Sequence, residues 1–245
     1  MRRGLLDRLL QTVTPKVDAS FRPAPVPLGP GLHGIDRRLR LSGAVLPTRS
    51  FVAEVAPGRL VVISAPPDPC PEIASLGSVA TVVAPNSFHY VYALDFAEKR
   101  GAELLAAPGL PERVRALASA FVLGEGMPPP WSGALDFVVI GPRRRISELL
   151  FFHHASRTLI LTDLAFNLVR FDRAYDRVLW RAFGAPDGFG PSRNAKRLLL
   201  ADPSLVRPAL RAVLDWPFER IAVSHGDVVE EDAPAVFRDA FAEWL

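Results

Sequence analysis

Residues 147–167 read SELLFFHHASRTLILTDLAFN, and this stretch decides the fold. Leu149 to His153 is a nearly continuous apolar run, Ala155 to Arg157 a turn, and Thr158 to Leu161 a second run of strand formers that ends at Thr162-Asp163. The pattern predicts two short strands running into an acidic residue at the mouth of a helix. A carboxylate at the end of a buried strand costs several kcal/mol unless it is paired, hydrogen-bonded or on a metal, so Asp163 requires an explanation. The simplest is an N-cap for a helix beginning near Leu164.

Toward the C-terminus the chain then reads as mostly helical: Leu164 to Phe183, a glycine-rich break at Gly184 to Gly190, Ser192 to Leu200, and Pro203 to Trp216 with Asp202 and Ser204 as caps. A final strand, Arg220 to Ser224, ends at His225-Gly226-Asp227, and a helix over Ala233 to Trp244 closes the chain. Toward the N-terminus, Ala134 to Ile140 is a strand joined to LLFF through an arginine turn at Arg143 to Arg145. Leu32 to Arg40, Ser50 to Val55 and Leu60 to Ser64 are strand candidates, the last two joined at Pro57-Gly58. Between these groups lie a short helical piece within Asp68 to Gly77, a buried strand at Val79 to Ala84, a helix over Phe88 to Arg100, a strand at Glu103 to Ala106 and a helix over Pro111 to Phe121. A proline-rich loop, Gly124 to Gly133, carries Trp131. The order ββ, βαβα, βββ predicts a layered α/β domain.

A chain of 245 residues with 49% hydrophobic and 22% charged residues is long enough for one large soluble domain, and its apolar runs are far short of a membrane span. One cysteine, Cys70, excludes an internal disulfide and a cysteine-based zinc site and fits a reducing cytoplasm; with no base predicted nearby, it is no nucleophile. The net charge of +3 is mild, and neither Arg143 to Arg145 nor Arg37-Arg38 is flanked by aromatic residues that stack bases, so no nucleic-acid partner is expected. MRRGLLDRLLQTV reads as an amphipathic helix rather than a signal peptide. Pro15 to Pro30 holds five of the 24 prolines and reads as an extended arm draped over the domain. The division expected is therefore 1–25 for the helix and arm and 26–245 for the domain.

Polar residues gather at strand ends: Asn86 and His89 after VATVVA, His153 and His154 after LLFF, Asp163 after TLIL, and His225 with Asp227 after RIAV. Binding sites of layered α/β folds collect at such edges, where loops converge on a rigid sheet. Two or three histidines with an aspartate are the ligand chemistry of zinc or iron hydrolases. Competing patterns fail. Ser224-His225-Gly226-Asp227 is no triad, because adjacent side chains diverge, and Gly124-Glu125-Gly126 lacks the third glycine and helix that cradle a phosphate.

On VVAPNSFHYVYALDFAEKRGAELLAAPG (82–109), SRTLILTDLAFN (156–167) and RIAVSHGDVV (220–229), the chain resembles the metallo-β-lactamase-fold hydrolases, and within them a divergent bacterial group of unknown function, over about Val26 to Leu245. The resemblance implies a four-layer αββα sandwich with a helical insertion before the last strand. It makes Asp163 the counterpart of the bridging carboxylate and His225 that of the last ligand, the two catalytic residues expected. The family's HxHxDH, laid on this chain from Asn86, falls on Asn86, Phe88, Tyr90 and Val91, with His89 at an intervening position. The middle histidine falls near Ser147 and Glu148, leaving Glu148 or His153 as substitutes. A reduced site is implied: one zinc or iron ion on His89, Asp163 and His225, and no two-metal centre.

Two functions follow. One is a metal-dependent hydrolase of a small-molecule substrate, with Asn86 or Tyr90 orienting it beside Glu148 and Trp131. The other is a catalytically inactive binding protein, without metal, whose pocket is lined by Trp131, Phe88, Tyr90 and Phe166 and takes a small ligand or protein partner.

Overall fold

The computed structural model describes residues 16–41, 43–67, 70–124, 128–131, 133–143 and 146–245. The expected N-terminal amphipathic helix lies outside the described residues, as do Arg144 and Arg145 of the arginine turn. The strands are β1 (Lys16–Val17), β2 (Val26–Gly29), β3 (Leu32–Leu41), β4 (Ala44–Ala56), β5 (Arg59–Ile63), β6 (Ser78–Ala84), β7 (Glu103–Ala106), β8 (Phe121–Val122), β9 (Leu135–Arg143), β10 (Ile146–His153), β11 (Thr158–Leu161), β12 (Phe166–Asn167), β13 (Phe189–Gly190) and β14 (Arg220–Val223). The helices are α1 (Ala93–Glu98), α2 (Ala174–Ala182), α3 (Arg193–Leu198), α4 (Pro203–Asp215) and α5 (Ala233–Ala240).

One sheet runs β1-β3-β4-β5-β6-β7-β8, with β2 also on β3; a second runs β14-β11-β10-β9. The apolar runs are continuous because both faces of each sheet are covered. In β10, Leu149 and Phe151 point into the core between the sheets, while Leu150 and Phe152 point to the helices outside. In β5, Val61 and Ile63 face inward, and Leu60 and Val62 pack under α1 and two short 3-10 turns, Pro71–Ser75 and Arg115–Leu117. Val206, Leu210 and Val213 of α4 and Phe237 of α5 cover the second sheet. The result is the expected four-layer αββα sandwich, with α2 to α5 inserted between β11 and the C-terminus on either side of β14.

Three expected elements differ. The helix over Leu164 to Phe183 shrinks to α2, because Phe166 and Asn167 pair as β12 with β13 and Asn167 also pairs beside His225 and Gly226. The helix over Phe88 to Arg100 covers only Ala93–Glu98; ahead of it the chain turns, with the Asn86 side chain accepting from the N–H groups of Phe88 (2.8 Å) and His89 (2.9 Å). The helix over Pro111 to Phe121 is reduced to the single turn at Arg115–Leu117, which buries only Leu117. The proline-rich arm, too, does more than drape: β1 and β2 both pair antiparallel with β3.

His153 shows how a polar residue enters this core. Its ring is buried, Nε2–H donates to the Glu54 carbonyl at 3.3 Å, and Nδ1 lies 2.8 Å from the Ser156 hydroxyl. Burial lowers its pKa from the ordinary 6.5. The unfolded chain therefore binds a proton that the folded chain refuses, so stability is present above pH 6.5 and is lost as pH falls through the folded value. Urea titrations between about pH 7 and about pH 5 should show this loss, and His153→Gln should flatten it. Equal pH slopes in the two proteins would refute the assignment.

Candidate metal centre

β6, β10, β11 and β14 end at one edge of the sandwich or begin from it, and the polar residues there meet. The organising group is Glu148, which is fully buried at the start of β10. Its Oε1 accepts from Thr162 N (2.9 Å), Thr162 Oγ1 (2.8 Å) and Leu164 N (3.1 Å). Its Oε2 accepts from Asp163 N (3.2 Å) and Asn86 Nδ2 (3.3 Å). Burial, and then the Asp163 charge, push this carboxyl up to about 7, against the pull of the Leu164 and Thr162 donors. All five neighbours are donors, so the hydrogen bonds fit the carboxylate form.

Held this way, the Thr162–Leu164 turn projects the Asp163 carboxylate outward, and Asp163 caps no helix. Asn86 Nδ2 donates to Asp163 Oδ2 at 2.9 Å and to Thr162 Oγ1 at 2.8 Å. Two imidazoles complete the cluster. His89 Nε2 lies 3.4 Å from Asp163 Oδ2, His225 Nε2 lies 3.4 Å from Asp163 Oδ1, and the two Nε2 atoms are 3.0 Å apart. Burial opposes a charge on Asp163, yet the His89 and His225 rings outweigh it and hold this carboxyl well below the usual carboxylate range. For His89, burial lowers and Asp163 raises; the carboxylate prevails and the imidazole is raised.

The outer ring nitrogens fix orientation. His225 Nδ1 lies 3.0 Å from the Pro47 carbonyl, which only accepts, so Nδ1 carries a hydrogen and Nε2 faces the cluster. His89 Nδ1 lies 2.6 Å from the Ser64 hydroxyl. Ser64 follows β5 with φ of 60°, a left-handed conformation rare outside glycine. A hydroxyl both donates and accepts, so it serves either His89 tautomer. His225 is set by Gly226, whose φ is 122°; a Cβ there would stand 2.1 Å from the Asn167 carbonyl oxygen. The Phe166 ring, 4.7 Å from that of His225, covers one side.

The donor set fits one tetrahedral ion. Ligand atoms about 2.0–2.1 Å from zinc stand roughly 3.3 Å apart along the tetrahedron's edges. The two Nε2 atoms are 3.0 Å apart, and each stands 3.4 Å from a different Asp163 oxygen, His89 from Oδ2 and His225 from Oδ1. The two distances to Asp163 are long for hydrogen bonds but ordinary between two ligands of one ion. The three donor atoms lie within 4.8 Å of one another, the only such group of three found among the described residues.

Other expected site residues stand elsewhere. Trp131 belongs to the core between the sheets, its ring 6.4 Å from Phe151. Tyr90 packs on the layer outside the first sheet, and its carbonyl accepts the Ala93 N–H at the start of α1. Glu148 is fully buried and supports the cluster from behind, and His153 is bonded at the other end of β10. Phe88 is exposed. Ser64, Pro47 and Thr162 were not anticipated. Ser64 ends a strand, the same signal that marked His225, whereas a backbone carbonyl such as that of Pro47 leaves no mark in a sequence.

No family model matches the chain, and no curated protein matches it. Solved structures do. The DIM-1 metallo-β-lactamase, in a crystal exposed to ceftazidime, superposes with a TM-score of 0.62 at 9% identity, covering 91% of this chain and 99% of its own. The chain has the metallo-β-lactamase fold. A metallo-β-lactamase from Pontibacter korlensis gives 0.60 at 9% identity, over 94% and 99% of the two chains. The flavodiiron protein from Giardia intestinalis gives 0.63 at 13% identity, and there the match spans 91% of this chain and 60% of the longer partner. No helix among the described residues is long and apolar enough to cross a membrane.

Replacing Glu148 tests its supporting role. Glu148→Ala leaves the N–H groups of Thr162, Asp163 and Leu164 without their acceptor, and each unsatisfied buried donor costs about 1–3 kcal/mol, so a loss of about 3 kcal/mol or more is expected in chemical denaturation. Glu148→Gln keeps one carbonyl acceptor and should cost less. A Glu148→Ala protein as stable as the parent would remove Glu148 from this role.

Proposed function

We propose that the chain is a metal-dependent hydrolase of a small molecule, holding one zinc or iron ion on His89 Nε2, His225 Nε2 and an Asp163 oxygen. The observation that carries this is the convergence of three side chains: the two Nε2 atoms lie 3.0 Å apart, each stands 3.4 Å from an oxygen of Asp163, and one ligand atom from each residue lies within 4.8 Å of the other two. Three protein ligands leave a fourth position for water or substrate, the arrangement of catalytic rather than structural zinc. A bound ion supplies Lewis acidity toward a substrate oxygen and lowers the pKa of water to about 7.

The chain's own residues do the rest. Pro47 and Ser64 aim the two imidazoles, Asn86 Nδ2 steadies one Asp163 oxygen, and Phe166 keeps water from one face of His225. Asn86 and Glu148 stand where the metallo-β-lactamase resemblance expects histidines, and their mutual hydrogen bonding supports a site reduced to a single ion. The narrower likeness to a divergent bacterial group of unknown function, and a cytoplasmic setting, belong to the same reading; they rest on the quoted motifs and on the single cysteine.

One feature favours the second reading, a binding protein without metal: the Asn86 amide already donates to Asp163 Oδ2, a place that a cation would otherwise hold. Elemental analysis of protein grown with zinc, iron and manganese separates the two. The hydrolase reading expects about one equivalent of ion, lost in His225→Ala and in Asp163→Asn along with any metal-dependent turnover. Metal-free parent protein from such medium would decide for the binding protein.

Ser64→Ala keeps the fold but frees the His89 ring. Zinc affinity, measured by competition with a chromophoric chelator, should fall by about 10–100-fold. An unchanged affinity would show that Ser64 does not position His89.

A further inference from the structure

We propose a second binding site, for the anionic oxygen group (carboxylate or phosphate) of a small molecule, in the cavity on the side of His225 away from the metal cluster. The cavity measures about 180 Å³ and lies between the β3–β4 hairpin and the segments around Asn167 and Gly226. Its relation to His225 follows from the ring: Nε2 faces Asp163 and His89, whereas Nδ1 faces Pro47, which lines the cavity.

Two hydroxyls mark it. Thr48 Oγ1 and Ser224 Oγ are buried with no hydrogen-bond partner, and both residues line this cavity. Ser224 is 1% exposed. Buried polar atoms nearly always have partners, and two orphans in one wall point to a ligand that supplies them.

The charged groups of the wall give the ligand's chemistry. Guanidiniums and carboxylates balance in number there, so net attraction does not select it. The unspent capacity does. Asp36 has both oxygens bound by Arg49, at 2.7 and 3.0 Å, and Asp227 has both bound by Arg170, at 2.9 and 2.5 Å. Asp176 accepts from Arg173 and from Val45 N. An arginine offers five N–H donors, and these pairings use two from Arg170 and, with a long contact to the Gly226 carbonyl, three from Arg49. One carboxylate of the wall keeps an oxygen free, Asp172, which meets Arg38 through Oδ2 and stands 69% exposed at the rim; the other unspent groups are donors, from the Arg49 and Arg170 guanidiniums held rigid by their aspartates, and the two hydroxyls. An acceptor-rich group meets them, and the planar fork of arginine suits carboxylate and phosphate.

Size and access agree. Cavities that enclose whole drug-sized ligands run to about 300–1,000 Å³, so this one takes a small anion or the anionic end of a larger molecule. Its rim is reachable: the Arg170 side chain is 84% exposed, and Arg38, stacked 4.1 Å over the Phe21 ring, is 35% exposed. Neither Arg170 nor Ser224 touches the metal cluster through any hydrogen bond found in the structure, so the site stands or falls apart from the hydrolase reading.

The test uses the full chain freed of metal, so that no ion recruits the anion, and titrates it with inorganic phosphate and, separately, with acetate, followed by amide chemical shifts. Saturable shifts centred on residues 47–49, 167–172 and 224–227 are expected with at least one anion, and the stronger probe names the source. Arg170→Ala, at an exposed position that leaves the fold intact, and Ser224→Ala, which removes only a hydroxyl, should each weaken that binding by about tenfold. Absence of saturable shifts with both anions overturns the proposal. So does binding that both substitutions leave unchanged.

Discussion

The acceptor that Glu148 presents to the Thr162–Leu164 turn is the constraint on which the edge of the sandwich depends. Strands of a layered fold stop where their hydrogen-bonding partners run out, and the N–H groups of the next residues must then find acceptors. Here one buried carboxylate satisfies three of them in succession, and through Asn86 it also ties the loop after β6, in the first sheet, to the end of β11, in the second. The same bonds that satisfy the backbone aim Asp163 outward. Fold and site are joined at this corner.

Around that corner the chain assembles a donor set from parts that are weak alone. A histidine becomes a useful ligand only when its second nitrogen is held, and this structure holds one ring with a carbonyl and the other with a hydroxyl on a strained backbone. Asn86 and Glu148 satisfy one another and close the space beside Asp163 where the metallo-β-lactamase resemblance places further ligands. His89, Asp163 and His225 each bring a ligand atom within 4.8 Å of the other two.

Local pattern was informative where both faces of an element are buried and uninformative where pairing with a distant segment claims the backbone. The LLFF, TLIL and RIAV runs became β10, β11 and β14 because apolar residues without alternation need cover on two sides. Helix propensity over Leu164 to Phe183 lost its first turns to strand pairing, since Phe166 and Asn167 pair with Phe189 and Gly190 and the Asn167 N–H donates to the His225 carbonyl. Trp131 stands in a loop and so resembles a pocket residue in the sequence, yet its ring is buried with Leu135, Leu149 and Phe151 between the sheets.

By itself the sequence determined the layered α/β class and the strand ends at which polar residues stop, among them those that carry His89, Asp163 and His225. These follow from residue type and local order, which act over a few positions. Only the tertiary structure decided that these three meet at 3.0 to 3.4 Å, that Ser64 and Pro47 orient them, and that Thr48 and Ser224 leave two hydroxyls without partners in one cavity. Those relations join residues up to 178 positions apart. They depend on how two sheets pack and where their loops end, which no local pattern encodes.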